Sequence, residues 1–231
     1  MVKIRPGAGR GETVTDWLVS YHTFSFNEYY DPEQMGFRSL RVINEDYIKP
    51  GAGFPTHSHR DMEILTYMLE GAIAHRDSLG NGSIIGVGEL QRMSAGVGIS
   101  HSEFNNSQDK PAHLLQIWIQ PKERGQVPSY EQRRLDPVES RGQLRLIASP
   151  NADDGTIMIH QDAWLYLAML AAGEQIVHKL AQKHYGWIQV ARGEIILNNT
   201  PLMAGDGAAV TGESIVIQGV AEAQILLFEL A

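Results

Sequence analysis

The 231-residue sequence contains no cysteine. A disulfide framework is thereby excluded, and so is any thiolate metal site or cysteine nucleophile. A metal held by this chain must be held by nitrogen and oxygen. Long apolar runs are also missing. The longest near-apolar stretch, residues 163–173, falls far short of the roughly 20 residues a membrane-spanning helix needs. Residues 1–7 lack the apolar core of a secretory signal, so the cytoplasm is the expected location. Positive charge is in deficit, with 19 Lys and Arg against 27 Asp and Glu and a net charge of −8. Nucleic acids and anionic membranes need a positive face, so neither is an expected partner; Arg133-Arg134 is too small a patch. No long stretch sustains a 3.6-residue apolar period, which argues against a helical fold.

What is present reads as strands and turns. Hydrophobic residues make up 43% of the chain and charged residues 20%, enough for one large β-domain or two small ones. Residues 22–26 alternate His22, Phe24 and Phe26 with small polar residues, a strand pattern. Residues 40–44, 63–69, 114–119 and 185–191 are further strands, 164–170 is a buried strand by composition although its apolar run also fits a helix, and Gly80-Asn81-Gly82 supplies a hairpin signal. Residues 49–55 are loop chemistry, with two prolines and two glycines. Residues 121–142, which carry Pro121, Pro128 and Pro137, form a break with one short helical turn expected near 130–134.

The second half echoes the first. Arg192-Gly193-Glu194-Ile195 follows Glu70-Gly71-Ala72-Ile73, and Ala204-Gly205-Asp206-Gly207 follows Val87-Gly88-Glu89-Leu90. The expected architecture is all-β: two stacked barrels or sandwiches, an N-terminal domain over 1–121, a connection over 122–142 and a C-terminal domain over 143–231.

Two short groups carry the chemistry. His57 and His59 stand at i and i+2, as do His101 and Glu103. Alternate residues of a strand share a face, so each pair projects into one space. On neighbouring strands the two pairs bring together three imidazoles and a carboxylate. That set suits one divalent transition metal, with Fe(II) favoured and Mn, Ni, Cu, Co or Zn also compatible. An octahedral ion so held keeps two open positions, whereas a closed tetrahedral zinc site would be structural, so the ligand count alone does not establish catalysis. Stepping twelve residues back from Gly71 reaches His59, and the same step from Gly193 reaches Ala181. Thirteen on from Gly88 is His101, and thirteen on from Gly205 is Gln218. The C-terminal domain is therefore expected to be metal-free.

Other candidates weigh less. Glu63 shares strand parity with His57 and His59 and stays open as the carboxylate donor on parity alone. His75 and Asp77 read as a solvated strand end, and His113 as a structural imidazole. His160, His178 and His184 have no partners at metal spacing. His22, Phe24 and Phe26 read equally as a core strand or as lining of a pocket mouth, and Phe24, Phe26 and Met93 are candidates for an apolar substrate cavity.

The spacing from Gly51 through His57, His59 and Glu63 to Gly71 resembles the first cupin motif. Gly88 to Asn105 resembles the second, with Ser94 in the usual proline position and four residues between Gly96 and His101. Those departures, the run from Ser94 to Glu103, His22-Thr23-Phe24-Ser25-Phe26 and Arg41-Val42-Ile43-Asn44-Glu45-Asp46 together resemble the bacterial branch of the pirin family over nearly the whole chain. The resemblance implies two jelly-roll cupin barrels with a metal in the first only. It also implies a ligand set of His57, His59, His101 and Glu103, and moves Glu63 to a supporting polar role.

The activity it implies is that of a quercetin 2,3-dioxygenase: opening of a flavonol with O2 and release of carbon monoxide, with Glu103 as catalytic base, in a protein expected to be monomeric. The alternative is a non-enzymatic, redox-responsive metal protein acting through protein partners. A metal-dependent isomerase or lyase is a third reading, since one fold hosts many reactions.

Overall fold

Period-two burial explains why the chain forms strands. In Ile99–Asn105 the odd-numbered residues are buried, and Ser100, Ser102 and Phe104 between them are not. The computed structural model describes residues 1–152, 155–212 and 214–231. They divide into two compact units: Gly11–Leu135 with Ile159–Gln161, and Met1–Arg10 with Asp136–Met158 and Asp162–Ala231.

Each unit pairs one seven-stranded sheet with one four-stranded sheet. In the first unit the large sheet runs Ser129–Arg134, Glu89–Ser94, Glu63–Glu70, Ala112–Ile119, Leu40–Ile48, Leu18–His22, Gly11–Val14. Its small sheet runs Gly53–His59, Ile99–Asn105, Ala72–Asp77, Gly82–Gly86. The second unit repeats the scheme, its small sheet running Gln175–Lys179, Ser214–Gly219, Glu194–Leu197, Thr200–Met203. This is the all-β architecture of two cupin barrels. Among the described residues no helix is long and apolar enough to cross a membrane.

The core of the second unit is aliphatic, built on Ile188, Val190, Ile195, Leu197, Ile215, Ile217, Ile225 and Leu227. In the first unit two smaller apolar clusters flank the site, one around Ile48, Met68, Ile73 and Leu114, the other around Ile64, Met93, Ala95 and Ile99, and further apolar residues such as Leu40, Ile43, Leu65 and Ile117 are buried outside them. Buried polar residues also belong to this unit: Ser20, His22, Asn44, Asp46, Thr66, Gln91, His101, Glu103 and Gln116. They stand on the strands that bound the site.

Several expectations need correction. The strand expected over 22–26 is Leu18–His22, with Phe24 in a bend beyond it and Phe26 in an isolated bridge to Tyr29. The loop expected over 49–55 gives way to strand at Gly53, and Pro55 lies within Gly53–His59. A proline is tolerated there because this is an edge strand, where one side needs no backbone donor.

The helical turn expected near 130–134 is the strand Ser129–Arg134, paired with Glu89–Ser94. Tyr130 and Gln132 make polar contacts with Ser83 and Ile84 on one face, while Arg133 bonds Glu131 on the other. That is a strand's period, and a single turn of 3-10 helix follows at Pro137–Ser140. Most of the expected 122–142 connection is thus first-barrel structure. Val2–Arg5 pairs with Gly207–Val210, so the first ten residues belong to the second unit.

Candidate metal centre

Antiparallel pairing of Gly53–His59 with Ile99–Asn105 sets His57 opposite His101. The register slips between His101 and Glu103, so that Glu103 faces Phe54. Gly53 permits the slip: a Cβ there would stand 2.2 Å from the Glu103 carbonyl oxygen. On its other side Ile99–Asn105 pairs without a break with Ala72–Asp77, placing His101 opposite Asp77 and Glu103 opposite His75.

The three imidazoles converge. His59 Nε2 is 3.0 Å from His101 Nε2, which is 3.1 Å from His57 Nε2. His57 Nδ1 lies 2.8 Å from the Pro55 carbonyl oxygen. In the neutral ring that nitrogen is the donor, so Nε2 presents a lone pair to the cluster. Burial, reinforced by its neighbour His57, lowers the His59 pKa to about 4. His101 is pushed down further by burial and by His57 and His59. Neutral rings with lone pairs aimed at one point are what a cation requires. These two spacings match neighbouring donors on an octahedral ion, which stand about 3.0 Å apart when the metal–nitrogen bond is about 2.1 Å. The residues therefore fit a metal.

Glu103 is 3% exposed. It accepts hydrogen bonds from Thr66 Oγ1 at 3.2 Å and Gln116 Nε2 at 2.8 Å. Burial raises its pKa, against the opposing pull of His75, Thr66 and Gln116. Two overlapping groups of donors lie within 4.8 Å of one another: His57, His59 and His101, and then His75, His101 and Glu103. His75 is 1% exposed, and its Nε2 lies 3.1 Å from Asp77 Oδ2. The reading of His75 and Asp77 as a solvated strand end is overturned. The signal in the sequence was a third pair of donors at i and i+2, His75 and Asp77, visible only once the Asn-Gly hairpin folds its strand against Ile99–Asn105.

Glu63 joins neither group. The turn at Asp61, with φ of 50°, moves the chain from the small sheet to the large one, so parity does not carry from His59 to Glu63. Glu63 Oε2 instead accepts from Ser94 Oγ at 2.8 Å and lies 3.3 Å from His160 Nδ1. Ser94, the departure from the cupin pattern, thus holds Glu63. His160 reaches it because Ile159–Gln161 returns to the first unit. His113 bonds Glu45 at 2.9 Å and stacks on Tyr47. His178 and His184, far apart by sequence spacing, share the Glu229 carboxylate at 2.8 and 3.0 Å.

Beside the cluster, the inner face of the large sheet is polar. His22 lies 2.8 Å from both Asn44 Oδ1 and Thr13 Oγ1, and Ser20 donates to Asp46. Burial raises the Asp46 pKa to about 7, with Ser20 opposing and Glu103 and Glu45 adding repulsion. A cavity of about 40 Å³ opens here, walled by Leu18, Phe26 and Phe54 opposite Asn44, Asp46 and Gln116. Of the aromatic and sulfur side chains expected at a substrate cavity, only Phe26 lines this one. Phe24 and Met93 are core residues at 2% and 0% exposure.

A pair of cupin barrels, one enclosing an imidazole–carboxylate cluster, defines this as a metal-centre type of cupin protein. The Pirin family model matches residues 4–119, and the model described as "Quercetinase C-terminal cupin domain" matches 146–230. A protein of Escherichia coli K12 named quercetin 2,3-dioxygenase is 48% identical, covering all of this chain and 99% of its own. A pirin-like protein of Caulobacter vibrioides is 38% identical over the full length of both. The solved structure of the bacterial pirin YhhW from Escherichia coli in complex with nickel(II) superposes with a TM-score of 0.95 at 47% identity, covering all of this chain and 99% of that one. The chain belongs to the pirin family.

Proposed function

We propose that this protein is a metal-dependent dioxygenase that opens a flavonol such as quercetin with O2 and releases carbon monoxide. The observation that carries the reading is the convergence of three imidazole lone pairs beside a buried carboxyl group. The name borne by the Escherichia coli relative supports it. His57, His59, His101 and Glu103 are the proposed ligands of one divalent ion, Fe(II) first; the relative's nickel supports a nitrogen–oxygen set of broad tolerance. When bound, such an ion supplies Lewis acidity toward a substrate oxygen and redox access to O2.

The chain's own residues do the rest. Glu103, with its carboxyl pKa raised by burial, is a stronger base than an exposed carboxylate, and takes the proton of the flavonol hydroxyl. Thr66 and Gln116 hold its two oxygens in orientation meanwhile. Phe26 and Phe54 offer apolar faces to an aromatic ring, and Asn44 and His22 offer polar contacts to its hydroxyls. A cavity of about 40 Å³ is too small for a three-ring substrate, so admission requires the segment carrying Phe26 and Asn27 to move.

The test is aerobic incubation of Fe(II)-loaded protein with quercetin, following flavonol absorbance and carbon monoxide. Loss of absorbance with equimolar carbon monoxide is expected. Neither signal from metal-replete protein would sink the reading.

A further inference from the structure

The cluster contains a fourth imidazole that the proposed ligand set leaves unused. His75 sits directly opposite Glu103 on the neighbouring strand, and cross-strand partners share a face. Its ring centre is 5.4 Å from that of His101. Ligand atoms of His75, His101 and Glu103 lie within 4.8 Å of one another, so the His75 ring shares the space of the cluster.

His75 is also held the way a ligand is held. An imidazole that binds a metal through one nitrogen usually donates the other N–H to a carboxylate or carbonyl, which fixes the tautomer and makes the free nitrogen more basic. Asp77 fills that role for His75, at 3.1 Å from Nε2. The Asp77 carboxylate is itself caged. Leu79 N–H and Asn81 N–H donate to Oδ1 at 2.9 and 3.1 Å, and Asn81 Nδ2 donates to Oδ2 at 2.9 Å. Against the upward push of burial, the bonds from Asn81, His75 and Leu79 keep the Asp77 pKa below its ordinary value. With the Nε2 proton committed to Asp77, the His75 Nδ1 lone pair is the free one. Its contact with Gln91 Nε2, at 3.5 Å, stands at the outer limit of a hydrogen bond. By contrast, His57 is braced by a carbonyl, and His101 Nδ1 is buried without a hydrogen-bond partner.

From this juxtaposition we infer that His75 is the reserve donor of the metal centre: its Nδ1 takes the coordination position that Glu103 vacates. The inference rests on the proposal that His57, His59 and His101 hold the ion. It gives Glu103 freedom to leave without stripping the centre to three ligands, which a carboxylate that also handles a proton needs.

Copper(II) is the probe, because nitrogen hyperfine splitting in its electron paramagnetic resonance spectrum counts equatorial imidazoles. Four proteins are compared: wild type, Glu103→Ala, His75→Gln and the double variant. His75→Gln keeps a polar side chain of similar reach against Asp77, and circular dichroism checks each fold. Wild type and His75→Gln should both give a three-nitrogen spectrum. Glu103→Ala should gain a fourth nitrogen and lose less than ten-fold in copper affinity, measured by chelator competition. Adding His75→Gln to Glu103→Ala should return the spectrum to three nitrogens and weaken binding at least ten-fold further. A three-nitrogen spectrum in Glu103→Ala, with no change on adding His75→Gln, overturns the reserve role while leaving the three-imidazole reading intact. Failure of the wild type to take up copper, or uptake that survives His101→Ala, overturns both.

Discussion

In the first barrel the strand pair Gly53–His59 and Ile99–Asn105 turns imidazoles and a carboxylate inward. The corresponding pair in the second, Gln175–Lys179 and Ser214–Gly219, turns in Ile176, Ile215 and Ile217. The ladders themselves give the correspondence. Asn105 pairs with Ile73 and Glu103 with His75; Gly219 pairs with Ile195 and Ile217 with Leu197. With Ile73 matched to Ile195 through the glycine repeat, Glu103 corresponds to Ile217, His101 to Ile215 and His75 to Leu197. His57 pairs with His101 as His178 pairs with Ile215, so His178 is the single imidazole common to both barrels. It serves Glu229 in the second. One backbone scheme thus supports two interiors. Aliphatic side chains interdigitate and stabilise by burial alone, while in the polar interior each group left without a partner costs stability.

The largest effect that would break this contrast belongs to His101. His101→Ala should abolish both metal content, read by elemental analysis, and flavonol turnover, while leaving the β-sheet circular dichroism signal intact. Retained turnover would separate the cluster from the chemistry. Its counterpart Ile215→Ala should behave in the opposite way, losing about 2–5 kcal/mol of stability in urea denaturation with metal content unchanged.

Asp46 is the next sharpest probe. Its pKa is raised in the fold, from the ordinary 3.8 to about 7, so the folded state binds more protons between those values and loses stability as pH rises through that window. Asp46→Asn in metal-free protein should therefore stabilise at pH 8 by on the order of 2 kcal/mol, and by much less at pH 4. A gain that does not vary with pH would contradict this. The depressed pKa values of His59 and His101 act with the other sign. The unfolded chain takes up those protons first, so metal-free protein should weaken as pH falls from about 6.5 toward 4, and His101→Ala should flatten that slope. The smallest effect is expected in the second barrel, where His178→Ala removes one hydrogen-bond partner of Glu229 at a cost of about 1 kcal/mol with no change in metal content.

Much of this was legible in the sequence. Period-two alternation and turn chemistry gave the strands, and two i, i+2 pairs gave the cluster, because those signals act over a few residues. The misses share one cause, dependence on pairing between distant segments. A gapless repeat led to Ala181 and Gln218, whereas the ladders lead to Leu180 and Ile215. The chain runs thirteen residues from Gly88 to His101 but only ten from Gly205 to Ile215. His75 looked exposed because nothing local reveals which strand will cover it. Ser129–Arg134 looked helical because its charges mask an alternation that matters only beside Glu89–Ser94. Ile159–Gln161 is three residues of one barrel embedded in the sequence of the other, and no local pattern announces that.

Gly53–His59 has a ladder on one side only, to Ile99–Asn105, and Pro55 removes one donor from its backbone. Outer strands of this kind open first in local fluctuations. An ion held jointly by His57 and His101, 44 positions apart, would act as a clasp across that ladder, closing a long loop much as a covalent cross-link does. Chelation would then register first as faster amide exchange along Gly53–His59, well before any loss of the barrel itself.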